Sequence, residues 1–140
     1  MSQRTLYAYV DGSDLDEIAD ELQLRLSRFV QSRQWRHGTP RLINQRRVDD
    51  PTLGPDDLPD WELGLNYDLP DPTPETLRWF SDIEAISRFL VDLHGITGRD
   101  FVIGMGDRSL GIAEDLYTID GRPLDLELLR RLIGISSRSP

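Results

Sequence analysis

Few side chains in this 140-residue chain have the types and spacing that catalysis or metal binding requires. Its two histidines, His37 and His94, fall in separate segments, and neither belongs to an H-x-x-x-H or E-x-x-H pattern that would place two ligands on one metal. His94 beside Gly95 is typical of a helix end, where a cation interacts favourably with the helix dipole. We therefore assign no catalytic, cofactor-binding or metal-binding residues and expect that the protein is not an enzyme.

The glycine-rich sequence GMGD (residues 104–107) has some likeness to a phosphate-binding loop. Dinucleotide-binding glycines lead into a helix, however, and the residues that follow here are typical of a strand. We interpret these glycines as turn or bulge residues of a β-hairpin. Glu114 and Asp115 are adjacent on the second predicted strand, so they point to opposite faces and do not form a carboxylate pair.

The clearest chemical feature is a concentration of negative charge. Residues 49–75, DDPTLGPDDLPDWELGLNYDLPDPTPE, hold nine carboxylates and no basic residue, which matches the net charge of −9 of the whole chain. Solvated acidic loops can serve solubility alone, but such a field also steers association with a cationic partner. We favour an interface with a basic protein, formed by Asp49, Asp50, Asp56, Asp57, Asp60, Glu62, Asp68, Asp71 and the aromatic candidate Trp79.

The composition argues against other partners. Nucleic acids reward clustered cations, and the local patch of Arg33, Arg36, Arg41, Arg46 and Arg47 is better explained by neutralisation of the adjacent acidic segment than by an acidic partner. No run approaches the ~20 apolar residues of a membrane span, and the first residues lack the apolar region of a signal peptide. We expect a cytoplasmic monomer or weak dimer. All 16 basic residues are Arg, a bias typical of a GC-rich bacterial genome.

The elements that position these residues follow from hydrophobic periodicity. Strict alternation from Trp61 to Leu69 predicts an antiparallel strand with one buried face, which places Trp61 in the core. Ser13 with Asp16, and Ser81 with Glu84, resemble capping boxes at two helix starts. The predicted strands are 5–10, 41–48, 61–69, 101–105 and 112–119, with a turn at 106–109, and the predicted helices are 14–33, 82–94 and 124–133.

The element order β-α-β-β-α-β-β-α predicts an α+β protein. Its first six elements match the ferredoxin-like βαββαβ arrangement, an antiparallel sheet with its helices on one face. The fifth strand extends the sheet by a hairpin from the fourth, and a C-terminal helix follows. We expect one domain over residues 1–135 and a frayed tail at 136–140. The sheet is predicted to contain Leu6, Tyr7, Tyr9, Leu63, Leu65, Phe101, Ile103 and Ile119.

The chain resembles, in its general pattern, the small acidic bacterial immunity proteins that neutralise polymorphic or contact-dependent toxins. The stretch WFSDIEAISRFLVDLHGITGRDFVIGMGD (79–107) has the helix-then-strand succession of several such families. The resemblance implies an inhibitor that occludes the active site of a cognate toxin, often a nuclease or deaminase with a basic substrate groove. Two alternatives stay open: a small-molecule-sensing regulatory domain of ferredoxin-like type, and an enzyme that uses Asp, Glu and Arg residues from separate loops.

Overall fold

An antiparallel sheet of five strands is the framework of the protein. The structure, a computed structural model, describes residues 4–12, 14–36, 38–46, 61–69, 76–107 and 112–133. In chain order the elements are β1 (Arg4–Val10), α1 (Ala19–Gln31), β2 (Arg41–Arg46), β3 (Trp61–Asp68), α2 (Thr76–Thr97), β4 (Phe101–Asp107), β5 (Ile112–Ile119) and α3 (Leu126–Leu132). The strands lie in the order β2-β3-β1-β4-β5, and each of the four neighbouring pairs is antiparallel. This is the predicted βαββαβ arrangement with β5 added beside β4, so the α+β fold class is confirmed.

Alternation along the strands separates a buried face from an open one. Leu6, Ala8 and Val10 of β1 are at most 4% exposed, and their register partners on β3 and β4 are also directed into the core. Apolar residues of α1, α2 and α3 complete a single core cluster with them, including Leu22, Leu26, Phe80, Ile83, Ile86, Leu90 and Leu129. All eight predicted sheet residues lie in the sheet, but Tyr7 and Tyr9 are directed to the face opposite the helices.

Helix α1 begins later than its capping signal predicts. The helix starts at Ala19, and Ile18 occupies the N-cap position without a side-chain cap, so the predicted Ser13 cap is wrong. The residues before it form a turn in which the carbonyl of buried Leu15 accepts hydrogen bonds from the amides of Ile18 and Ala19. Arg99 also binds the carboxylate and carbonyl of Asp14, at 2.8 and 3.0 Å. These contacts join the segment before the helix to α1 and to the segment after α2.

Helix α2 extends beyond both of its predicted ends. It begins at Thr76, so Ser81 and Glu84 lie inside it and do not form a capping box. Its fully buried Phe80 indicates why the early turns are helical, since that turn packs on the core. Gly95 is helical as well, and the chain leaves the helix only at Gly98, whose φ of 72° is left-handed and whose amide donates to the carbonyl of His94.

The remaining boundaries differ from prediction by a few residues. Strand β2 covers Arg41–Arg46, and positions 47–48 of the predicted strand lie outside the described residues. Strand β4 continues to Asp107, so Gly106 and Asp107 belong to a strand and not to the turn. A register shift lies between Ile103 and Gly104, but the residue without a partner is Leu116 of β5, so the predicted turn or bulge role of the glycines is wrong. Helix α3 is shorter than predicted because Asp125 caps it, accepting a hydrogen bond from the amide of Leu128. The predicted tail at 136–140 lies outside the described residues.

Candidate partner-binding surface

The face of the sheet opposite the helices carries polar and aromatic side chains. We call this surface the open face; it is formed by Thr5, Tyr7, Tyr9, Arg41, Glu62, Asn66, Asp68, Val102 and Asp115. These residues alternate with the buried residues of the same strands. Among the described elements, the helices pack against the other side of the sheet.

Two tyrosines of the central strand occupy the middle of the open face. Tyr7 and Tyr9 are two residues apart, and their rings stack with centroids 5.2 Å apart and planes 25° from parallel. The hydroxyl of Tyr7 donates to Asp115 at 2.6 Å, and the hydroxyl of Tyr9 donates to Asn66 at 2.5 Å. Tyr7 is held at its hydroxyl by β5, across β4, and Tyr9 by the adjacent β3, so the pair is a preorganised aromatic surface.

Glycines on the neighbouring strands allow the tyrosine rings to lie across the sheet. Gly104 of β4 is the register partner of Tyr7, and Gly64 of β3 is the partner of Tyr9. A Cβ atom at Gly104 would overlap the Tyr7 ring, and a Cβ at Gly64 would overlap the backbone and ring of β1 residues. Because glycine has no side chain, these two positions leave space for the tyrosine rings.

A shallow groove of about 390 Å³ runs along this aromatic surface towards the end of β1. Its lining includes the two tyrosines and three carboxylates, and the lining residues are Tyr7, Tyr9, Val10, Asp11, Gly12, Trp61, Glu62, Val102 and Asp115. We call it the open-face groove. Its combination of aromatic faces and carboxylates suits a cation.

The tyrosine hydroxyls in the groove stay protonated at neutral pH. Burial, followed by the hydrogen bond to Asp115, raises the pKa of Tyr7 well above its ordinary value. Burial also raises the pKa of Tyr9, and the negative charge of Glu62 adds to this effect. A phenol in this state donates a hydrogen bond to a carboxylate but does not serve as a general base near pH 7.

The structure describes only part of the predicted binding surface. Glu62 and Asp68 both lie on the open face, at opposite ends of β3. Glu62 lines the groove, whereas Asp68 accepts hydrogen bonds from Arg41 at 2.9 Å and from Thr5 at 3.2 Å. Trp79 belongs to α2, which packs on the helical side of the sheet. Asp49, Asp50, Asp56, Asp57, Asp60 and Asp71 lie outside the described residues.

The prediction that the arginine patch neutralises the acidic segment is confirmed for Arg41 but not for Arg33. Arg41 pairs with Asp68 of the acidic segment, as expected. Arg33 instead lies 3.6 Å from the buried carboxylate of Asp82 and 4.8 Å from the centre of the Trp35 ring. Trp61 is half-buried against the core, as the alternation predicts, and its indole N–H donates to Asn44 at 2.7 Å.

Sequence reasoning missed the groove residues Tyr7, Tyr9 and Asp115. The signal for the tyrosines is present in TLYAYV (5–10), where Thr, Tyr and Tyr alternate with Leu, Ala and Val. Period two assigns them to one face of the strand. The pairing of Tyr7 with Asp115 has no such signal, because 108 residues separate the two.

His94 has a structural position at the end of α2. Its Nδ1 lies 2.9 Å from the carbonyl oxygen of Arg99 and 3.5 Å from a carboxylate oxygen of Asp100, and its Nε2 faces Gly121. His37 lies outside the described residues. Over the described ranges, no three His, Asp or Glu side chains are grouped so that they could hold a metal ion.

None of the helices in the described part of the chain combines the length and apolar character needed to cross a membrane. Comparison of the chain with protein-family models, with curated proteins and with solved structures finds no match.

Proposed function

We propose that this chain is a non-catalytic protein-binding module that neutralises a basic partner, in the manner of the bacterial immunity proteins that it resembles. The observation that carries the proposal is the open face: a preorganised tyrosine pair beside Asp11, Glu62 and Asp115, on a protein with a net charge of −9. Aromatic residues are favoured at the energetic centres of interfaces. The carboxylates supply the complementary field for a cationic surface.

The form of the groove supports protein binding over the two alternatives. A small-molecule sensor normally encloses most of its ligand in an apolar cavity, whereas this groove is shallow and partly polar. The enzyme alternative needs Asp, Glu and Arg side chains gathered in one site, whereas the lining of this groove has three carboxylates and no arginine. Both features favour recognition of a surface.

The direct test is inhibition of a purified partner. The chain, carrying an affinity tag, is used to capture a stoichiometric partner from its source cells, and the activity of that partner is assayed with and without the chain. We expect a basic protein whose activity falls to background at one equivalent. A partner that is acidic, or that keeps full activity when saturated, would contradict the proposal.

The acidic segment gives a second, kinetic prediction. Replacing Asp49, Asp50, Asp56, Asp57 and Asp60 with Asn should slow association with the partner about tenfold at low salt and flatten its salt dependence, because these charges steer the encounter. The free energy of unfolding should change little, since loop carboxylates are largely solvated. Stopped-flow association at two ionic strengths measures the association rate and its salt dependence.

A matched variant controls for net charge alone. It carries five amide substitutions on or beside the helices, at Glu17, Asp20, Glu21, Glu84 and Asp92. If this control slows association as much as the loop variant, the acidic segment has no special role. If the loop variant binds as fast as the parent at low salt, the segment serves solubility only.

A further inference from the structure

We propose that the open-face groove receives an extended, arginine-containing segment of the basic partner, with guanidinium groups stacked on the Tyr7–Tyr9 pair and paired with Glu62 and Asp115. This inference rests on the proposed function and names the surface and the side-chain chemistry that it uses. It assigns the recognition to described residues of the sheet, most of them outside the acidic segment.

The shape of the groove favours an extended segment over a single side chain. Asp115 lies at one end of the tyrosine pair, bonded to Tyr7, and Glu62 lies towards the other, near Tyr9. They belong to β5 and β3, with β1 and β4 between them. Strand spacing of about 4.8 Å places their backbones more than about 14 Å apart. A cation at each end therefore requires two basic side chains on one segment.

The chemistry of the groove favours arginine over lysine. A guanidinium is planar and stacks on aromatic rings while its edge still donates hydrogen bonds to a carboxylate. Tyr7 and Tyr9 present stacked rings whose hydroxyls are already engaged by Asp115 and Asn66, so the ring faces are what a ligand meets. Asp115 accepts one bond from Tyr7 and has acceptor capacity left for a donor from a ligand.

The charges of the groove argue against single-stranded RNA, another ligand that an aromatic sheet face can bind. In some proteins of this topology, sheet aromatics stack on the bases of single-stranded RNA. Here the carboxylates of Asp11, Glu62 and Asp115 line the groove, and phosphates would meet them with like charge. A basic peptide carries positive charge, which is complementary to these carboxylates.

The test uses a peptide of alternating arginine and glycine, acetyl-RGRGR-amide. In an extended chain its arginine side chains point to one side. We expect its titration into the full ¹⁵N-labelled chain to shift the amide resonances of β1, β4 and β5 around the groove. The citrulline version, which is neutral and of the same shape, should bind at least tenfold more weakly, and the lysine version about threefold more weakly.

Matched variants locate the site. Glu62→Gln and Asp115→Asn should each weaken the peptide about threefold, as expected for a partly exposed ion pair. Asp92→Asn, which removes the same charge from the exposed surface of α2, should change nothing. The same three variants are then tested for inhibition of the captured partner.

Several outcomes would overturn the inference. They are peptide shifts confined to other surfaces, equal binding of the citrulline peptide, equal affinity of Glu62→Gln and Asp92→Asn, binding of an RNA octamer in place of the peptide, or a dimer that covers the groove. If the chain still inhibits a basic partner in those cases, the proposed function stands and only the groove is wrong. If the peptide binds as expected but no basic partner is inhibited, the proposed function fails instead.

Discussion

Asp82 illustrates at the scale of one residue how a charge is accommodated in the core. Its carboxylate is fully buried. Both of its oxygens accept from the amide of Arg36 at 2.9 Å, and one accepts from the hydroxyl of Tyr67 at 2.6 Å. Arg33 adds an ion pair at 3.6 Å. The carboxylate thereby joins α2 to β3 and to the segment after α1, and a buried charge is tolerated only with such compensation.

Replacing Asp82 tests this network. Asp82→Asn should lower the free energy of unfolding by about 2 kcal/mol, because the neutral amide weakens the hydrogen bonds that the buried carboxylate accepts from Tyr67 and Arg36. Tyr67→Phe should cost about 1.5–3 kcal/mol, the usual contribution of a hydrogen bond to a charged group. Urea denaturation provides the measurement. The control is Glu84→Gln, which removes an exposed i,i+4 pair with Arg88 and should cost less than about 0.5 kcal/mol. Equal effects at positions 82 and 84 would show that the buried network adds no stability.

At the scale of the elements, two glycines in regular structure have opposite roles. Gly104 lies in β4 beneath the Tyr7 ring, where an added Cβ has no room. Gly95 lies inside α2 with nothing within 4 Å of the position that a Cβ would take. The first glycine is required by packing, and the second only weakens a helix.

The two alanine substitutions should therefore have opposite signs. Gly104→Ala should destabilise the protein by about 2 kcal/mol, since the Tyr7 ring and the backbone of β5 must shift to admit the methyl group. Gly95→Ala should stabilise it by about 0.5–1 kcal/mol through higher helix propensity. Chemical denaturation of the two variants measures both changes in the free energy of unfolding. A neutral or stabilising Gly104→Ala would mean that Tyr7 does not lie across β4 as described.

At the scale of the whole molecule, the absence of lysine and cysteine determines the response to alkali. Arginine keeps its proton to beyond pH 12, so tyrosine is the side-chain type whose ordinary pKa, about 10, lies in the alkaline range. The pKa values of Tyr7, Tyr9 and Tyr67 are raised in the folded state, chiefly by burial. Hydrogen bonds to Asp115 and Asp82 add to the shift for Tyr7 and Tyr67.

Stability should consequently fall as the pH rises above about 10. Below that pH both states hold the tyrosine protons, and above it the unfolded chain releases them while the folded protein retains them. The urea midpoint should be level from pH 7 to 9 and should decrease from pH 10 to 11. The double variant Tyr7→Phe/Tyr67→Phe should show a shallower decrease than the parent. Identical slopes in the two proteins would contradict the assignment of this effect to Tyr7 and Tyr67.

The sequence alone determined the type and order of the elements, because their signals are local. The alternation from Trp61 to Leu69 marked β3 and its buried face, and the apolar spacing in α1 and α2 marked two helices. Period-two and period-3.6 burial depend only on neighbouring residues. That information was sufficient for the α+β class and for the βαββαβ order.

The tertiary structure decided the helix ends and the groove, because both depend on residues far apart in the chain. Arg99 binds Asp14 from 85 positions away in the segment before α1, which begins only at Ala19. Packing of Phe80 on the core brings the start of α2 forward past Ser81. The groove joins Tyr7 to Asp115, and Tyr9 to Asn66, across 108 and 57 positions. Such pairs are set by which strands are neighbours and in which register, and no local pattern contains that information.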